Sequence, residues 1–388
     1  MKPATESVRR FSSDLGDVEP LTVPIFETTT YVFDSAEQVR AYNEGKNDKY
    51  LYTRYGNPTL TAVEERVAAL EGAQAARVLA SGQAATATAV AALMSAGDEI
   101  VCSAAIYGGT FHLLSDVFSR LGVAARFVRV EELRAPERII SDKTKVVWFE
   151  TPINPTLRCV DIRAVASACR NRGVISVVDS TFASPINQQP IALGIDVVMH
   201  SATKYLNGHT DVTAGVLAGP TELIDKVEKV RRVFGTILDP HAAYALGRGL
   251  KTLSVRVERQ NTNAMAVAEW LSNDRRVEAV FYPGLPGHPD HDIARRQMCG
   301  FGGMVCIDLG GGYERAARFF DRLKLIHRAA SLGGVESLCS LPVLTSHWRH
   351  SEAELREAGI TKSMARLSIG LEDPQDLIAD LDQALGDG

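Results

Sequence analysis

Apolar side chains recur every three or four residues from about position 58 onward. Leu60, Val63, Val67 and Leu70 follow this spacing, and Gly72 comes after them. Such a period is typical of a helix with one buried face, and glycine commonly ends a helix. The pattern therefore predicts a helix that ends at about Gly72.

Beyond this helix, short apolar runs alternate with helical stretches. The predicted helices include residues 82–94 and 162–171. The predicted strands are residues 76–80, 99–103, 125–130, 146–149, 175–178, 197–200 and 214–218. Continuous apolar strands separated by helices are typical of a parallel sheet covered on both faces. In such sheets a ligand sits beyond the carboxyl ends of the strands.

The two ends of the chain differ from this middle part in their pattern of hydrophobic and polar residues. The start has no sustained period and several prolines, which predicts an extended arm that lies against something else, often another subunit. Near the other end, a long charged helix over about residues 244–273 and a strand over 304–309 predict a smaller α+β domain. The predicted division is an arm over 1–57, an α/β domain over 58–245 and an α+β domain over 246–388.

Composition and charge narrow the possible functions. A net charge of -5 argues against a protein that binds nucleic acid through a basic patch. The polar start lacks the apolar core of a signal peptide, and no apolar run approaches the roughly 20 residues that cross a bilayer. The six cysteines form no CxxC pair and mostly have apolar neighbours, as core residues in a reducing compartment do. We therefore expect a cytoplasmic protein without a nucleic-acid or membrane partner.

One lysine follows a predicted strand in a setting suited to covalent chemistry. Lys204 is flanked at alternate positions by Ser201 and Thr203, whose hydroxyls are suited to a phosphate. At pH 7 only about one free lysine in two thousand is neutral, but a lysine becomes useful when it forms a Schiff base with a carbonyl cofactor. An isolated lysine at a strand end more often just reaches solvent. Whether Lys204 is catalytic therefore depends on the neighbouring motifs.

Two further strand ends carry groups that complement such a lysine. Asp179 closes an apolar strand, and pyridoxal phosphate (PLP) needs a carboxylate beside its pyridine nitrogen. An aspartate there can also be a simple turn or cap residue. Gly82 and Gln83 begin a helix after a strand, where free N–H groups and the helix dipole form an anion site.

Aromatic and basic residues add weaker signals. Tyr107 follows a strand end, where a tyrosine can stack on a cofactor ring and offer its hydroxyl for proton transfer, or can simply be buried. Tyr52 and Arg54, at the end of the arm, offer a phenol and a guanidinium suited to a phosphate, or form a solvated loop.

Together and in order, these motifs resemble the Cys/Met-metabolism family of PLP-dependent enzymes. The resemblance extends from the arm to Arg366 and covers nearly the whole chain. The matching blocks are YTRYGNPT at 52–59, ETPINP at 150–155, SATKY at 201–205, RGLKTL at 248–253, SLGGVESL at 331–338 and RLSIG at 366–370. The resemblance implies a PLP-dependent transferase fold of type I, an α/β fold with a large, mostly parallel sheet domain and a smaller C-terminal α+β domain. It also implies a homotetramer built as a dimer of dimers.

The resemblance also implies a role for each candidate residue. Lys204 would hold PLP as a Schiff base and move the Cα proton, and Tyr107 would stack on the ring and act as acid or base near the leaving group. Asp179 would pair with the pyridine nitrogen, and Asn154, Ser331 and Arg366 would bind the substrate carboxylate. The phosphate would be held by Gly82, Gln83, Ser201 and Thr203, joined by Tyr52 and Arg54 of the neighbouring subunit.

Two positions suggest which sulfur amino acid is used. Enzymes that handle cystathionine often carry an acidic residue where this chain has Leu51 and an arginine where it has His112. Without those charges a second charged end is costly to bury, which favours γ-elimination of L-methionine to methanethiol, 2-oxobutanoate and ammonia. Methionine γ-lyases, however, carry a cysteine at the position of Gly109. Cystathionine γ-lyase, cystathionine γ-synthase and O-acetylhomoserine sulfhydrylase therefore remain alternatives.

A metal site is the competing interpretation of another class. His288 and His291 are three residues apart, as are His347 and His350. The first pair lies in a proline-rich loop, and no set of cysteines or carboxylates completes either pair. We therefore expect no metal.

Overall fold

The computed structural model describes residues 1–10, 19–348 and 351–386. Its helices are α1 (Pro3–Val8), α2 (Ala36–Asn43), α3 (Pro58–Glu71), α4 (Gly82–Leu93), α5 (Gly108–His112), α6 (Ile162–Asn171), α7 (Ser184–Asn187), α8 (Thr221–Phe234), α9 (Pro240–Leu250), α10 (Leu253–Ser272), α11 (His291–Gln297), α12 (Tyr313–Arg322), α13 (Glu352–Glu357) and α14 (Pro374–Leu385). Its strands are β1 (Ala75–Leu79), β2 (Glu99–Ser103), β3 (Ala124–Val128), β4 (Thr144–Glu150), β5 (Ile175–Asp179), β6 (Val197–His200), β7 (Gly215–Gly219), β8 (Ala279–Phe281), β9 (Met304–Asp308), β10 (His327–Arg328), β11 (Leu338–Ser340) and β12 (Met364–Ser368).

The larger sheet contains all seven strands predicted from the apolar runs. Its order is β1-β7-β6-β5-β4-β2-β3. Only β7 runs against the others, because it pairs antiparallel with both β1 and β6. The expected α/β fold with a mostly parallel sheet is therefore confirmed.

Strand β4 shows why these strands read as continuous apolar runs. Val146 and Trp148 pack in one hydrophobic cluster with residues of α4, while Val147 and Phe149 pack in another with residues of α6. Successive side chains point to opposite faces of a strand, so a strand with helices on both faces is apolar at every position. Burial on both faces holds the carboxyl end of β4 in place.

The long helix predicted over 244–273 is two helices, α9 and α10. The helix is interrupted at Lys251 and Thr252. Their N–H groups donate to the carbonyl groups three residues earlier, of Arg248 and Gly249, and not four residues earlier as in an α-helix. The guanidinium of Arg256 donates to the Gly249 carbonyl at 2.9 Å and so satisfies part of the exposed end of α9. The sequence predicted one helix because buried residues recur at helical spacing in both α9 and α10, each of which buries one face.

A second sheet, of order β10-β11-β12-β9-β8, follows later in the chain. Helix α10 connects the two cores: Leu253 and Val257 belong to the core beside the larger sheet, and Ala264 and Val267 to that of the smaller one. The predicted domain boundary, between residues 245 and 246, falls inside α9. The domain limits therefore stay a proposal, and the packing favours a transition along α10.

The arm is less extended than its sequence suggested, since it contains α1 and α2. Around Phe26 the backbone lies along its own chain: the Phe26 N–H donates to the Thr59 hydroxyl at 2.9 Å, and Asn57 donates to the Phe26 carbonyl at 2.8 Å. Farther on, Val32 is 88% exposed. The arm thus has one attached and one uncovered part.

Five of the six cysteines are buried, as expected for core residues, and Cys299 is exposed. Within the described ranges, no helix is both long enough and apolar enough to cross a membrane.

Candidate active site

A cavity of about 570 Å³ opens at the carboxyl ends of the central parallel strands. It is bounded by the larger sheet on one side and by residues of the second sheet and its loops on the other. Ten predicted site residues line it: Gly82, Gln83, Tyr107, Asn154, Asp179, Ser201, Thr203, Lys204, Ser331 and Arg366. Residues that lie far apart in the sequence therefore meet at one place.

Lys204 lies in the turn after β6, with its amine directed across the cavity. Its Nζ donates to the Ser331 hydroxyl at 2.9 Å. Burial, and then the nearby Arg366 guanidinium, lower the pKa of Lys204. A lowered pKa leaves more of the amine neutral at physiological pH, as a nucleophile that forms Schiff bases requires.

The turn between β1 and α4 forms an anion cradle. The Ser81 hydroxyl caps the helix by accepting the Ala84 N–H at 3.0 Å. The preceding N–H groups, of Gly82 and Gln83, belong to the first helical turn, which has no internal acceptors. Gly215 backs the turn so closely that a Cβ there would lie 2.1 Å from the Ser81 carbonyl oxygen. The cradle fits the phosphate of PLP.

The two hydroxyls of the lysine turn are placed differently. Thr203 exchanges two hydrogen bonds with Ala214: its hydroxyl donates to the carbonyl at 3.2 Å and accepts the N–H at 3.0 Å. The Ser201 N–H donates to the Thr181 hydroxyl at 2.8 Å. The Ser201 hydroxyl lies beside the start of α4, where a Cβ added to Gly82 would be 3.2 Å from it. Ser201 is thus the better placed phosphate donor, while Thr203 fixes the lysine turn.

Asp179 is a partly buried carboxylate in the cavity wall that lacks a cation partner among the described residues. Its Oδ1 accepts the backbone N–H and the hydroxyl of Thr181, at 2.9 and 2.5 Å. None of the ion pairs within residues 1–10, 19–348 and 351–386 includes Asp179, and burial raises its pKa. A protonated pyridine nitrogen would supply the missing charge, so this residue also fits PLP.

Arg366 lies on β12 and is almost fully buried. Its Nη1 donates to the Asn154 side-chain oxygen at 2.8 Å, and its Nη2 donates to the Ser331 carbonyl at 3.2 Å. Its Nε is buried without a hydrogen-bond partner in the described part of the chain. A guanidinium without a carboxylate partner is suited to bind the carboxylate of an amino acid.

Tyr107 stands at the mouth of the cavity, where 51% of its surface is exposed. It precedes helix α5, and its ring folds back over Gly109, where a Cβ would lie 2.5 Å from the ring. The Gln83 side chain donates to the Gly109 carbonyl at 2.9 Å. A cysteine at position 109 would therefore require Tyr107 to move, which gives a local reason for the glycine found here.

Glu150 is a cavity residue that the sequence reasoning did not single out. It ends β4, directly beside Asp179 on β5. Burial, and then the charge of Asp179, raise the pKa of Glu150 to about 8. The available signal was its position, because it closes an apolar strand as Asp179 does.

Two predicted site residues, Tyr52 and Arg54, do not line this cavity. Arg54 lies on its own chain: its Nη1 donates to the Arg232 carbonyl at 2.7 Å, and its guanidinium sits over the Tyr55 ring at 4.9 Å. Tyr52 is partly exposed. Within one chain they contribute nothing to the phosphate cradle, so their proposed function requires another subunit.

The two positions used to infer the substrate also lie outside the cavity of their own chain. Leu51 lines a separate cavity beneath the arm. The His112 side chain is 72% exposed, and its Nδ1 is 3.1 Å from an Asp116 carboxylate oxygen. A direct contact of His112 with substrate has no support in this geometry.

The two histidines of the first pair form hydrogen bonds with nearby backbone groups. Nδ1 of His288 accepts the Asp290 N–H at 3.2 Å, and Nδ1 of His291 is 2.8 Å from the Pro283 carbonyl. In the part of the chain that the structure describes, no group of three or more His, Cys, Asp or Glu side chains is placed to hold a metal. His350 lies outside the described residues.

Comparison with known proteins agrees with this geometry. Residues 4–386 match the Cys/Met metabolism PLP-dependent enzyme family. The L-methionine gamma-lyase of Fusobacterium nucleatum subsp. nucleatum is 42% identical over 368 residues, which cover 94% of this chain and 93% of that protein. The cystathionine gamma-lyase of Mus musculus is 45% identical over 343 residues, 88% of this chain and 86% of that protein.

Among solved structures, the cystathionine gamma-lyase from Lactobacillus plantarum complexed with L-serine superposes with a TM-score of 0.93. It shares 37% sequence identity and covers 99% of this chain and 98% of its own. Both the sequence and the fold are thus similar to enzymes that act on sulfur amino acids. The chain therefore belongs to the Cys/Met metabolism PLP-dependent enzymes, with PLP as its cofactor and carbon–sulfur bond chemistry as its reaction class.

Proposed function

We propose that this enzyme catalyses the γ-elimination of L-methionine to methanethiol, 2-oxobutanoate and ammonia. The supporting observation is the charge of the cavity wall. The charged residues among those that line it are Glu150, Asp179, Lys204 and Arg366. The last three suit the cofactor and the substrate carboxylate, and Glu150 is bonded to two backbone N–H groups.

The remaining wall toward the mouth is uncharged. It includes Thr110, Ala330, Leu344, Thr345 and Ser346. The second amino and carboxyl groups of cystathionine would have to be buried there without a charged partner among the described residues of this chain, which is costly. An S-methyl group would meet no such cost.

The residues of the chain divide the work of such a reaction. Bound PLP supplies an electron sink that makes the Cα proton of the amino acid acidic. Arg366 and Asn154 orient the substrate carboxylate, and Lys204 Nζ takes the Cα proton. Tyr107 would hold a proton beside the departing sulfur and donate it, so that methanethiol leaves, and its open position at the mouth suits this function.

A second candidate is the cystathionine and γ-replacement chemistry of the same family. The similarity to the cystathionine gamma-lyase of Mus musculus favours it. The arm of a neighbouring subunit would also add Tyr52 and Arg54, and so a cation, near the site. Cystathionine γ-lyase, cystathionine γ-synthase and O-acetylhomoserine sulfhydrylase are therefore the alternatives to compare.

The test is product release by the purified, PLP-loaded enzyme supplied with L-methionine alone. We expect 2-oxobutanoate and methanethiol in equal amounts, and neither from the Lys204→Ala variant. L-Cystathionine, and O-acetyl-L-homoserine with and without a thiol, are assayed in parallel. A higher kcat/KM on either of these than on methionine would reject methionine as the main substrate.

We further propose a homotetramer built as a dimer of dimers, in which each arm reaches the neighbouring active site. Support comes from Tyr52 and Arg54, which carry phosphate-binding groups but lie outside the cavity of their own chain.

A further inference from the structure

Glu150 occupies the centre of the strand ends that carry the site. Strand β4 lies between β5 and β2 in the sheet. The loop after β2 leads to Tyr107, and the loop after β4 itself leads to Asn154. Glu150 is therefore next to both segments that face the cofactor and the substrate carboxylate.

Each carboxylate oxygen of Glu150 binds one of these segments. Oε2 accepts the Tyr107 N–H at 2.9 Å, and Oε1 accepts the Asn154 N–H at 2.9 Å. The Asn154 side chain in turn accepts the Arg366 Nη1 at 2.8 Å. One side chain thus connects the residue at the cofactor ring to the pair that binds the substrate.

The surroundings of Glu150 make this arrangement costly for the fold. Its exposed fraction is 6%, and none of the ion pairs in the described residues includes it. Its nearest acidic neighbour is Asp179 on the adjacent strand. A buried carboxylate without a cation lowers stability, and such departures from favourable packing are expected at functional sites.

We propose that Glu150 is a positioning residue that fixes Tyr107 relative to the Asn154–Arg366 pair and so couples cofactor binding to substrate-carboxylate binding. A carboxylate suits this task because it presents two acceptor oxygens to two N–H groups. A glutamine of the same size presents one oxygen and an NH₂ group, which cannot accept the second N–H. The proposal rests on the functions proposed for Tyr107 and Arg366, but not on the identity of the sulfur amino acid.

The test compares Glu150→Gln with the wild type in two binding measurements. The first titrates cofactor-free enzyme with PLP, followed by absorbance and by the circular dichroism of the bound cofactor. The second titrates the PLP-loaded enzyme with L-alanine, which has the α-carboxylate and no γ substituent. Both titrations are run at pH 9, above the Glu150 pKa of about 8, so that the wild-type side chain is ionised. Because hydrogen bonds to a charged group are lost, we expect both affinities to fall about tenfold. The matched control is Glu137→Gln, which removes the same charge at an exposed position and should change neither affinity.

A double-mutant cycle separates positioning from a general loss of structure. Asn154→Ala should weaken L-alanine binding in the wild type and have a smaller effect in Glu150→Gln, because the two residues act through one connection. Additive effects would overturn the proposal, as would a Glu150→Gln variant that binds L-alanine like the wild type.

If Glu150→Gln does not fold, Glu150→Asp replaces it. Aspartate keeps both oxygens on a side chain one methylene shorter, so it reaches one segment less well. The same loss of both affinities is then expected, and wild-type values for both would contradict the positioning function. Since neither ligand is a sulfur amino acid, failure of methionine as a substrate leaves this test unaffected.

Discussion

At the scale of single residues, burial decides which groups of the site carry charge. The pKa values of Lys204 and Asp179 are both shifted toward the neutral forms, in each case chiefly because burial disfavours the charged form. Burial and the charge of Asp179 likewise raise the pKa of Glu150, to about 8. Two backbone N–H groups and Arg366 lower it in part. The cavity is therefore prepared for a ligand that brings both a cation and an anion.

This burial predicts a pH dependence of stability in enzyme stripped of PLP. The pKa of Glu150 is about 8 in the folded chain, against an ordinary value of 4.5. Between these values the folded state binds one more proton than the unfolded state. The contribution of Glu150 to the free energy of unfolding therefore falls by about 1.4 kcal/mol per pH unit as pH rises.

The Glu150→Gln variant resembles the protonated acid at every pH and lacks this contribution. Its free energy of unfolding should decline less steeply than that of the wild type between about pH 5 and pH 8. Urea unfolding at several pH values measures the two slopes. Parallel curves would mean that Glu150 is already ionised across this range.

Sequence reasoning located cavity residues whose position follows from their place after a strand. Asp179 could be located because an ionisable side chain at the end of an apolar run is unusual, and Lys204 because it follows within four residues of the next such run. Glu150 stands at an equivalent place, but its meaning depends on the Tyr107 N–H, 43 residues away. The bond from Thr203 to Ala214 likewise depends on the path of a distant segment, which no local pattern shows.

At the scale of elements, the positions of the strands followed from their apolar runs, because burial on both faces leaves a clear signal. The break between α9 and α10 did not, since the periodicity of buried residues is the same on both sides of it. The contact that satisfies the end of α9 comes from Arg256, one turn into the next helix. Helix ends that are satisfied by side-chain contacts across a break are difficult to predict from periodicity.

Two elements of the larger domain are joined by a buried polar pair. Glu71, the last residue of α3, lies 2.5 Å from Nε2 of His200, the last residue of β6. Both side chains are buried. Because Ser201 follows directly, this pair fixes the strand end from which the lysine turn begins.

Removing one partner of this pair should be strongly destabilising. We expect Glu71→Ala to lower the free energy of unfolding by about 3 kcal/mol, because it leaves a buried histidine without its partner and creates a cavity. Denaturant unfolding measures the change. Glu65→Ala on the exposed face of the same helix is the matched control, and an equal effect of the two substitutions would show that the pair contributes nothing specific.

At the scale of the whole molecule, the arm is the part whose proposed function depends on a partner subunit. The sequence predicted an element that lies against something else, and the structure shows its first part on its own chain. Which surface covers the rest depends on the symmetry of the assembly, and one chain's sequence does not contain that information in a readable form.

A shared site can be tested by complementation between inactive chains. Lys204→Ala and Arg54→Ala chains should each assemble into enzymes with little activity. Coexpressed, they form mixed dimers in which one site has Lys204 from one chain and Arg54 from the other. With random pairing, about a quarter of all sites are then intact, so about a quarter of wild-type activity should return. No recovery in confirmed mixed dimers would mean that each site uses its own arm.

The close packing of Gly215 against the Ser81 carbonyl has a consequence for how such enzymes diversify. With 2.1 Å between that oxygen and any added Cβ, the cradle cannot be altered by small substitutions. The wall at Leu344 to Ser346 and the uncovered arm are free of that restraint. Substitutions should therefore be tolerated more readily at the end of the site that meets the distal part of the substrate than at Gly215 beside the phosphate cradle. A change of substrate then needs no change in the cradle, which agrees with the nearly equal identity of this chain to a methionine gamma-lyase, 42%, and to a cystathionine gamma-lyase, 45%.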